Sequence, residues 1–200
     1  KWSSGLKAQL VRGKYSQYND AQIQYSLYRP FSKQALYYDR ILIDRPGLFR
    51  QIFPTRQAER ENRTMCVAAV ANERPFYAVV TNAIPNLAMV GFGGACQCFP
   101  YYVYNEDGFN RRENITDWAL AQFRTHYENK KTSKWDIFHY VYALLHHPAY
   151  REKFADNLKR ELPRIPFAPD FRDFAVAGKK LADVHLNYES AKAFPLKEII

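Results

Sequence analysis

The feature that most constrains this sequence is a change of hydrophobic period near Asn114. Between about residues 25 and 104 the apolar side chains come in short runs separated by Pro, Gly and Asn, which is typical of strands. Beyond Asn114 they recur every three or four residues, which is typical of amphipathic helices. The order predicts an α+β fold, with a strand-rich part over residues 1–110 and a helical part of the same domain over residues 111–200.

Four runs of the first part are predicted strands. Residues 72–75 separate the second run from the third, and we expect these two to form a hairpin with a four-residue loop. Three alanines in the second run leave a short helix as the alternative. The runs cover residues 35–42, 64–71, 76–81 and 97–104.

The second part carries signals for four helices. Thr116 can cap the first helix, and Ser133 with Asp136 makes a variant of the capping box before the second. Pro148 can occupy the first turn of a third helix. The prolines of residues 163–169 must end that helix, and a last helix follows them.

The composition departs from average in charge and in aromatic content. The net charge is +9, and 15 Tyr, 14 Phe and 3 Trp bring the aromatic content to 16%. A positive, Tyr-rich surface suits a polyanion whose bases can be stacked. The alternative is that the aromatic rings form the core and the charge only keeps the chain in solution. Residues 1–110 carry 13 Lys and Arg against 8 Asp and Glu, and residues 111–200 carry 16 against 12, so folding must assemble any basic surface.

Several protein classes are excluded or disfavoured by the sequence. No apolar run approaches 18 residues, so we expect no membrane contact through a spanning helix. The first residues have neither a secretory apolar stretch nor an initiator Met, so we expect a piece of a longer cytoplasmic chain. Three cysteines are too few for a disulfide framework, which also favours a reducing cytoplasm.

Catalytic motifs are mostly absent. The sequence has no Walker loop, no GxSxG and no HExxH, and the glycines of residues 91–94 lack nucleotide-binding spacing. Glu128 and Lys130 match half of a nuclease motif but lack an acidic partner at a strand end. We therefore predict no catalytic residue in this chain.

A zinc site is the remaining chemical alternative. Cys96 and Cys98 with His146 and His147 could supply four ligands, but the CxC spacing is atypical of structural zinc. His139 and His185 lie within apolar helical patterns, which favours buried histidines over general bases. We predict no metal ligand among these residues.

DNA contacts are predicted from charge and position. Phosphates are bound by Lys and Arg, while base edges are read by Arg, Asn and Gln on projecting segments. Glu59 and Glu61 weaken the case for a phosphate grip in the RQAERENR stretch, because they can neutralise its arginines. The candidates are Arg56, Arg60, Arg63, Arg74, Asn82, Asn86, Arg111, Arg112, Lys130, Lys131 and Lys134.

The helical part resembles the C-terminal target-recognition region of Type ISP restriction–modification enzymes. The resemblance rests on ENITDWAL (113–120), on DIFHYVYALLHHPAYREKFADNLKRELPRIPF (136–167) and on FRDFAVAGKKLADVHLNYE (171–189). YRPF (28–31), YYD (37–39) and CFPYYVY (98–104) are similar to the same region. Together these stretches span roughly residues 25 to 189.

The resemblance implies sequence-specific recognition of double-stranded DNA inside a larger polypeptide. It implies an adenine-N6 methyltransferase domain of the same polypeptide as partner, joined to a nuclease and an ATP-dependent motor. No NPPY-type motif occurs here, so S-adenosylmethionine, ATP and Mg²⁺ belong to the rest of that polypeptide, and this fragment itself is expected to be non-catalytic. The alternative is a scaffold module that positions the methyltransferase domain and touches DNA little.

Overall fold

The computed structural model describes residues 2–43, 47–70, 75–89, 95–105, 107–192 and 195–196. The strands in these ranges are β1 (Ile23–Arg29), β2 (Ser32–Tyr37), β3 (Thr64–Ala68), β4 (Ala78–Thr81), β5 (Ile84–Pro85), β6 (Cys96–Pro100), β7 (Tyr102–Val103) and β8 (Arg112–Glu113). The helices are α1 (Ser4–Val11), α2 (Phe49–Ile52), α3 (Arg56–Glu61), α4 (Asp117–His126), α5 (Lys134–His146), α6 (Pro148–Lys153), α7 (Ala155–Arg160) and α8 (Phe171–Leu186).

The predicted α+β order is confirmed, since the described strands end by residue 113 and the long helices follow. The strands form two three-stranded sheets, ordered β2-β1-β5 and β4-β3-β6, and a small β7-β8 pair. Every neighbouring pair is antiparallel except β1 with β5.

Every residue of strand β3 is buried, because other parts of the chain cover both faces of the strand. Met65 and Val67 face α5 and α8 in the main core, whereas Cys66 faces a second cluster that includes Leu27 of β1. The main core therefore joins the strand-rich and helical parts of the chain.

The predicted hairpin is confirmed by the antiparallel pairing of Thr64 with Thr81 through Val67 with Ala78. Its connection is longer than four residues, because β3 ends at Ala68 and β4 begins at Ala78. The helical alternative for this run is wrong.

Two other predicted strands differ from the structure in their bounds. The strand expected over residues 35–42 is β2, which ends at Tyr37 because the Asp39 carboxylate accepts hydrogen bonds from the Ile41 and Leu42 amides and turns the chain. The run over residues 97–104 divides into β6 and β7.

The helix signals are confirmed at three starts. Thr116 Oγ1 accepts from the Ala119 amide at 3.2 Å, Ser133 and Asp136 form the full capping box, and Pro148 opens α6. The third predicted helix is two helices in the structure, because the helical conformation is interrupted at Phe154 between α6 and α7.

The proline-rich segment after α7 is held by tyrosine hydroxyls. Tyr140 donates to the Pro166 carbonyl at 2.5 Å and accepts from the Ala168 amide at 2.7 Å. Tyr150 donates to the Arg164 carbonyl at 2.8 Å. Part of the tyrosine excess is therefore structural. Over the described ranges, no helix has the length and apolar character that crossing a bilayer requires.

Candidate nucleic-acid interface

A polar cleft of about 550 Å³ forms where β1, β2, α3 and the turn between β4 and β5 meet. It contains three of the predicted DNA-contacting residues, from two separate segments of the sequence. Its polar lining residues are Gln24, Tyr25, Lys33, Arg56, Glu59, Arg60, Asn82 and Glu189.

Helix α3 places two arginines on one side of this cleft. Most of the RQAERENR stretch forms this helix, which is capped by Thr55 Oγ1, an acceptor for the Ala58 amide at 3.2 Å. Ala58 and Glu59 are its buried residues. Because residues four apart share a helix face, Arg56 and Arg60 project together.

The two arginines differ in how firmly they are held. Arg56 donates from Nε to the Ile23 carbonyl at 3.1 Å and from Nη2 to the Asp20 carbonyl at 3.4 Å, which fixes its guanidinium against β1. Arg60 is exposed, and its guanidinium has no hydrogen bond within the described part of the chain. Arg56 is thus pre-positioned, and Arg60 can reorient toward a ligand.

Buried polar groups line the cleft beside the arginines. Gln24 donates from Nε2 to the Phe53 carbonyl at 3.4 Å, while its buried Oε1 has no partner among the residues that are described. Burial raises the pKa of Glu59, although the Tyr25 amide at 3.4 Å and the charge of Arg56 oppose this shift. An unpaired buried acceptor costs about 1–3 kcal/mol, so Gln24 is a local cost to stability beside the cleft.

The cleft has an excess of positively charged side chains. Lys33, Arg56 and Arg60 face the two acidic residues Glu59 and Glu189. Lys33 Nζ lies 3.4 Å from Glu189 Oε2 and 5.3 Å from the centre of the Tyr188 ring. The ion pair is partly exposed, so a phosphate can compete for this lysine at little cost.

Three other predicted contact residues have their polar groups engaged within the fold. Arg63 Nη1 donates to the Arg60 carbonyl at 3.0 Å and to the Asn62 carbonyl at 2.7 Å. Asn86 Oδ1 accepts from the Ala88 amide at 2.9 Å. Lys134 Nζ lies 2.6 Å from Asp117 and 3.2 Å from Glu113. None of these three lines the cleft, and their role in DNA contact stays a prediction.

The remaining candidates lie elsewhere. Arg111 pairs with Glu61 and stacks over the Tyr102 ring at 4.3 Å. Arg112 is exposed in β8, and Lys130 and Lys131 are exposed in the turn between α4 and α5. Arg74 and the glycines of residues 91–94 lie outside the described residues.

Lys33, Gln24 and Tyr25 are cleft residues that the sequence reasoning missed. The signal that could have found them is the β1–β2 hairpin itself. In β1, buried Gln24 alternates with exposed Tyr25, and Tyr28 is also exposed. A buried Gln beside an exposed Tyr reverses the usual placement of polar and apolar residues on a strand.

The structure assembles the two chemical alternatives only in part. Asp117, the nearest acidic residue that precedes the Glu128–Lys130 pair, lines the same cleft of about 620 Å³ as these two residues, but its carboxylate is paired with Lys134. His146 packs against Tyr142 and His185 rather than against a cysteine. The one group of three or more potential metal ligands in the described ranges consists of Cys66, Cys96 and Cys98.

Nearly the whole chain is similar to part of three solved structures that contain DNA or a DNA substrate mimic. It matches a DrdV–DNA complex with 40% identity and a TM-score of 0.86, covering 96% of this chain and 18% of that one. It matches a nuclease-deletion mutant of the Type ISP restriction–modification enzyme LlaGI with a DNA substrate mimic at 29% identity and a TM-score of 0.79, covering 97% and 16%. It matches the ATP-dependent Type ISP enzyme LlaBIII bound to DNA at 25% identity and a TM-score of 0.81, covering 98% and 13%.

The chain therefore spans less than a fifth of the length of each of these enzymes. No curated protein sequence matches it. The match to a family extends over residues 1–199, under the description "Type ISP C-terminal specificity domain". The resemblance drawn from the helical stretches is confirmed, and this chain belongs to the Type ISP C-terminal specificity domain family.

Proposed function

We propose that this chain recognises the target sequence in double-stranded DNA for a larger restriction–modification enzyme, and that the polar cleft reads base edges. The observation that carries the proposal is the convergence of Arg56, Arg60 and Asn82 in one cleft of positive excess. The similarity of nearly the whole chain to parts of DNA-bound Type ISP enzymes supports it.

Each side chain has a role that its chemistry suits. A guanidinium binds guanine O6 and N7 in the major groove, and Arg60 is the arginine that can turn toward it. The Asn82 amide suits adenine N6 and N7. Lys33 at the edge of the hairpin suits a phosphate, which fixes the register without reading sequence.

The chemistry of the enzyme is proposed to lie in the remainder of the polypeptide. In keeping with the family, that remainder would transfer a methyl group from S-adenosylmethionine to adenine N6 and use ATP and Mg²⁺ for motor and nuclease steps. This chain would recognise the DNA sequence at which those steps take place, and it would contribute no reacting group. Its three free cysteines are in keeping with a reducing, cytoplasmic location.

The test selects bound duplexes from a random library, sequences them and measures affinity for the enriched site and for a scrambled duplex. Arg60→Ala is expected to weaken the enriched site by about 1–3 kcal/mol, roughly 5- to 150-fold, and to relax one base position while scrambled DNA changes little. Lys131→Ala, an exposed charge in the α4–α5 turn, is the control and should leave the base preference intact. Equal loss on both duplexes for Arg60→Ala would count against base reading by the cleft.

A second candidate function is docking onto the methyltransferase domain. Helix α1 has no buried residue, and with β2 it lines an apolar groove of about 700 Å³. Leu10 is 53% exposed, Tyr15 80% and Trp2 61%, a density of apolar surface that is typical of an interface.

The experiment for docking uses the complete polypeptide. Leu10→Asp should lower methylation and the resistance of the region to limited proteolysis, while the isolated chain still binds its selected DNA site. Methylation that is unchanged by this substitution would exclude the α1 surface as the docking site for the methyltransferase domain. Loss of the selected base preference in the isolated chain would instead assign this surface to DNA.

A further inference from the structure

Three cysteines converge on one face of the β4-β3-β6 sheet. Cys66 in β3 lies directly opposite Cys98 in β6, and Cys96 lies two residues before Cys98, on the same face of that strand. The Cys66 and Cys98 sulfurs are 3.7 Å apart, the Cys96 and Cys98 sulfurs 3.9 Å, and all three lie within 4.8 Å of one another. The antiparallel register brings residues 32 positions apart to one point.

We propose that Cys66, Cys96 and Cys98 form a three-thiolate binding site for a zinc ion. A Zn–S bond of about 2.3 Å places two sulfurs of a tetrahedral site about 3.8 Å apart, which matches the Cys66–Cys98 and Cys96–Cys98 separations. Two ligands from one strand and a third from its neighbour give the ion a rigid base, because the ladder of the sheet fixes the register.

The surroundings select a thiophilic ion. The cluster is packed against the buried side chains of Leu27, Val79, Ala83 and Met89. In the described part of the chain no imidazole or carboxylate joins the group. All-sulfur ligands in an apolar pocket exclude Mg²⁺ and Ca²⁺, which require oxygen.

Charge favours zinc over monovalent copper. Three thiolates with Zn²⁺ carry one net negative charge, whereas with Cu⁺ they carry two. A buried net charge is costly, so the divalent ion is the better match. Cys96 and Cys98 are only partly buried, and the Asn86 carbonyl oxygen lies 3.9 Å from Cys96 Sγ, so an oxygen ligand can approach from this side.

A disulfide explains the cluster less well. A disulfide needs sulfurs about 2.05 Å apart and joins only two of the three, which would leave the third thiol with no role. A zinc ion uses all three sulfurs, and two of the three pairs already have the spacing that it needs. It would also fasten β6 to β3 near Asn86, the residue that follows β5.

The test measures metal in the 200-residue chain purified without chelator under reducing conditions. We expect about one zinc ion per chain by elemental mass spectrometry. Cobalt added to the zinc-free chain should give thiolate-to-cobalt charge-transfer absorption with the intensity of three thiolates. Cys98→Ser and Cys96→Ser should each reduce zinc content to below about a tenth of an ion after dialysis, because two thiolates do not retain it.

Met89→Leu is the matched control, since it changes a neighbouring sulfur in the same pocket and should keep the zinc. Circular dichroism of each variant reports folding, and the unmutated chain decides the question if a cysteine variant does not fold. A chain that contains no zinc and takes up no cobalt overturns the proposal and leaves packed thiols. A Cys66–Cys98 disulfide in chain taken from a reducing cytoplasm overturns it as well.

Discussion

Among single residues, His146 at the end of α5 connects the packing of the helical part to pH. Burial, reinforced by the nearby charges of Arg151 and His185, lowers the pKa of His146 from 6.5 to about 4. Burial also lowers the pKa of His185, whose Nδ1 lies 2.5 Å from the Tyr142 hydroxyl. The fold therefore favours the neutral imidazole in both residues, which the apolar helical pattern around His185 predicted for that residue.

This predicts a loss of stability in mild acid. The folded pKa of His146 is below the unfolded value, so its contribution is complete above pH 6.5 and is lost as the pH falls from 6.5 toward about 4, where the unfolded chain binds the proton first. The melting temperature measured across that range should fall less steeply in His146→Gln than in the unmutated chain. Parallel pH profiles would show that another group controls the acid response.

Arg63 and Arg60, three residues apart, should have separable roles. The guanidinium of Arg63 binds carbonyls at the end of α3, and burial lowers its pKa, whereas Arg60 faces the cleft. Arg63→Ala should cost about 1–3 kcal/mol of folding free energy, seen in urea unfolding, with the selected DNA preference unchanged. A changed base preference with unchanged stability would place Arg63 in the interface instead.

Local chemistry at single residues was readable from the sequence, and long-range partners were not. The Ser133 box and the Thr116 cap depend on residues three positions apart, so the sequence contains all of their information. That Lys134 is neutralised by Glu113 and Asp117 depends on how β8 meets α5. Judged by charge and sequence position alone, such a lysine is as good a candidate for DNA contact as either arginine of the cleft.

Among elements, α5 and α8 pack closely against each other at Gly178. A Cβ placed on Gly178 would lie 1.9 Å from the His139 carbonyl oxygen and 3.1 Å from Ala143 Cβ. The first of these atoms is backbone, so the helices would have to separate. Hydrogen in place of a side chain at Gly178 is what allows the approach.

Gly178→Ala should therefore destabilise the chain despite the better helix propensity of alanine. Overpacking costs about 1–3 kcal/mol, while the gain in propensity is about 1 kcal/mol at most, so a net loss is expected in thermal or urea unfolding. Ala177→Ser, on the exposed side of the same turn, is the control and should change stability little. A stabilised Gly178→Ala variant would mean that α8 does not approach α5 this closely.

Element type was predictable where the hydrophobic period was long, and bounds were not where a side chain intervened. Helix α8 runs as expected through sixteen residues, whereas the Asp39 carboxylate ends β2 five residues before the apolar run does. Helix α3 was overlooked because only Ala58 in its six residues is apolar and buried. Its burial comes from neighbours that the local sequence does not contain.

For the whole molecule, composition indicated the partner class but not the surface. The tyrosines divide between the two interpretations that the composition left open: Tyr101, Tyr140 and Tyr142 are buried, while Tyr25 and Tyr28 stand exposed on β1. The charge divides in the same way, because several cations are paired within the fold. The Lys and Arg side chains that remain available to DNA can be identified only in the folded structure, because the cleft is formed by segments that are distant in the sequence.

The salt dependence of binding can show which side of the molecule faces the duplex. Each phosphate contact releases counterions, so losing one reduces the slope of log K against log salt by about one unit. If the hairpin side faces DNA, Lys33→Ala should reduce the slope by about that amount on cognate and scrambled duplexes alike, because its contact is to backbone and not to bases. Lys131→Ala, on the α4–α5 turn, should then leave the slope unchanged. A reduced slope for Lys131→Ala with an unchanged slope for Lys33→Ala would place the DNA phosphates on the helical side, away from the cleft. This pair of titrations therefore tests the orientation that base reading by Arg60 requires.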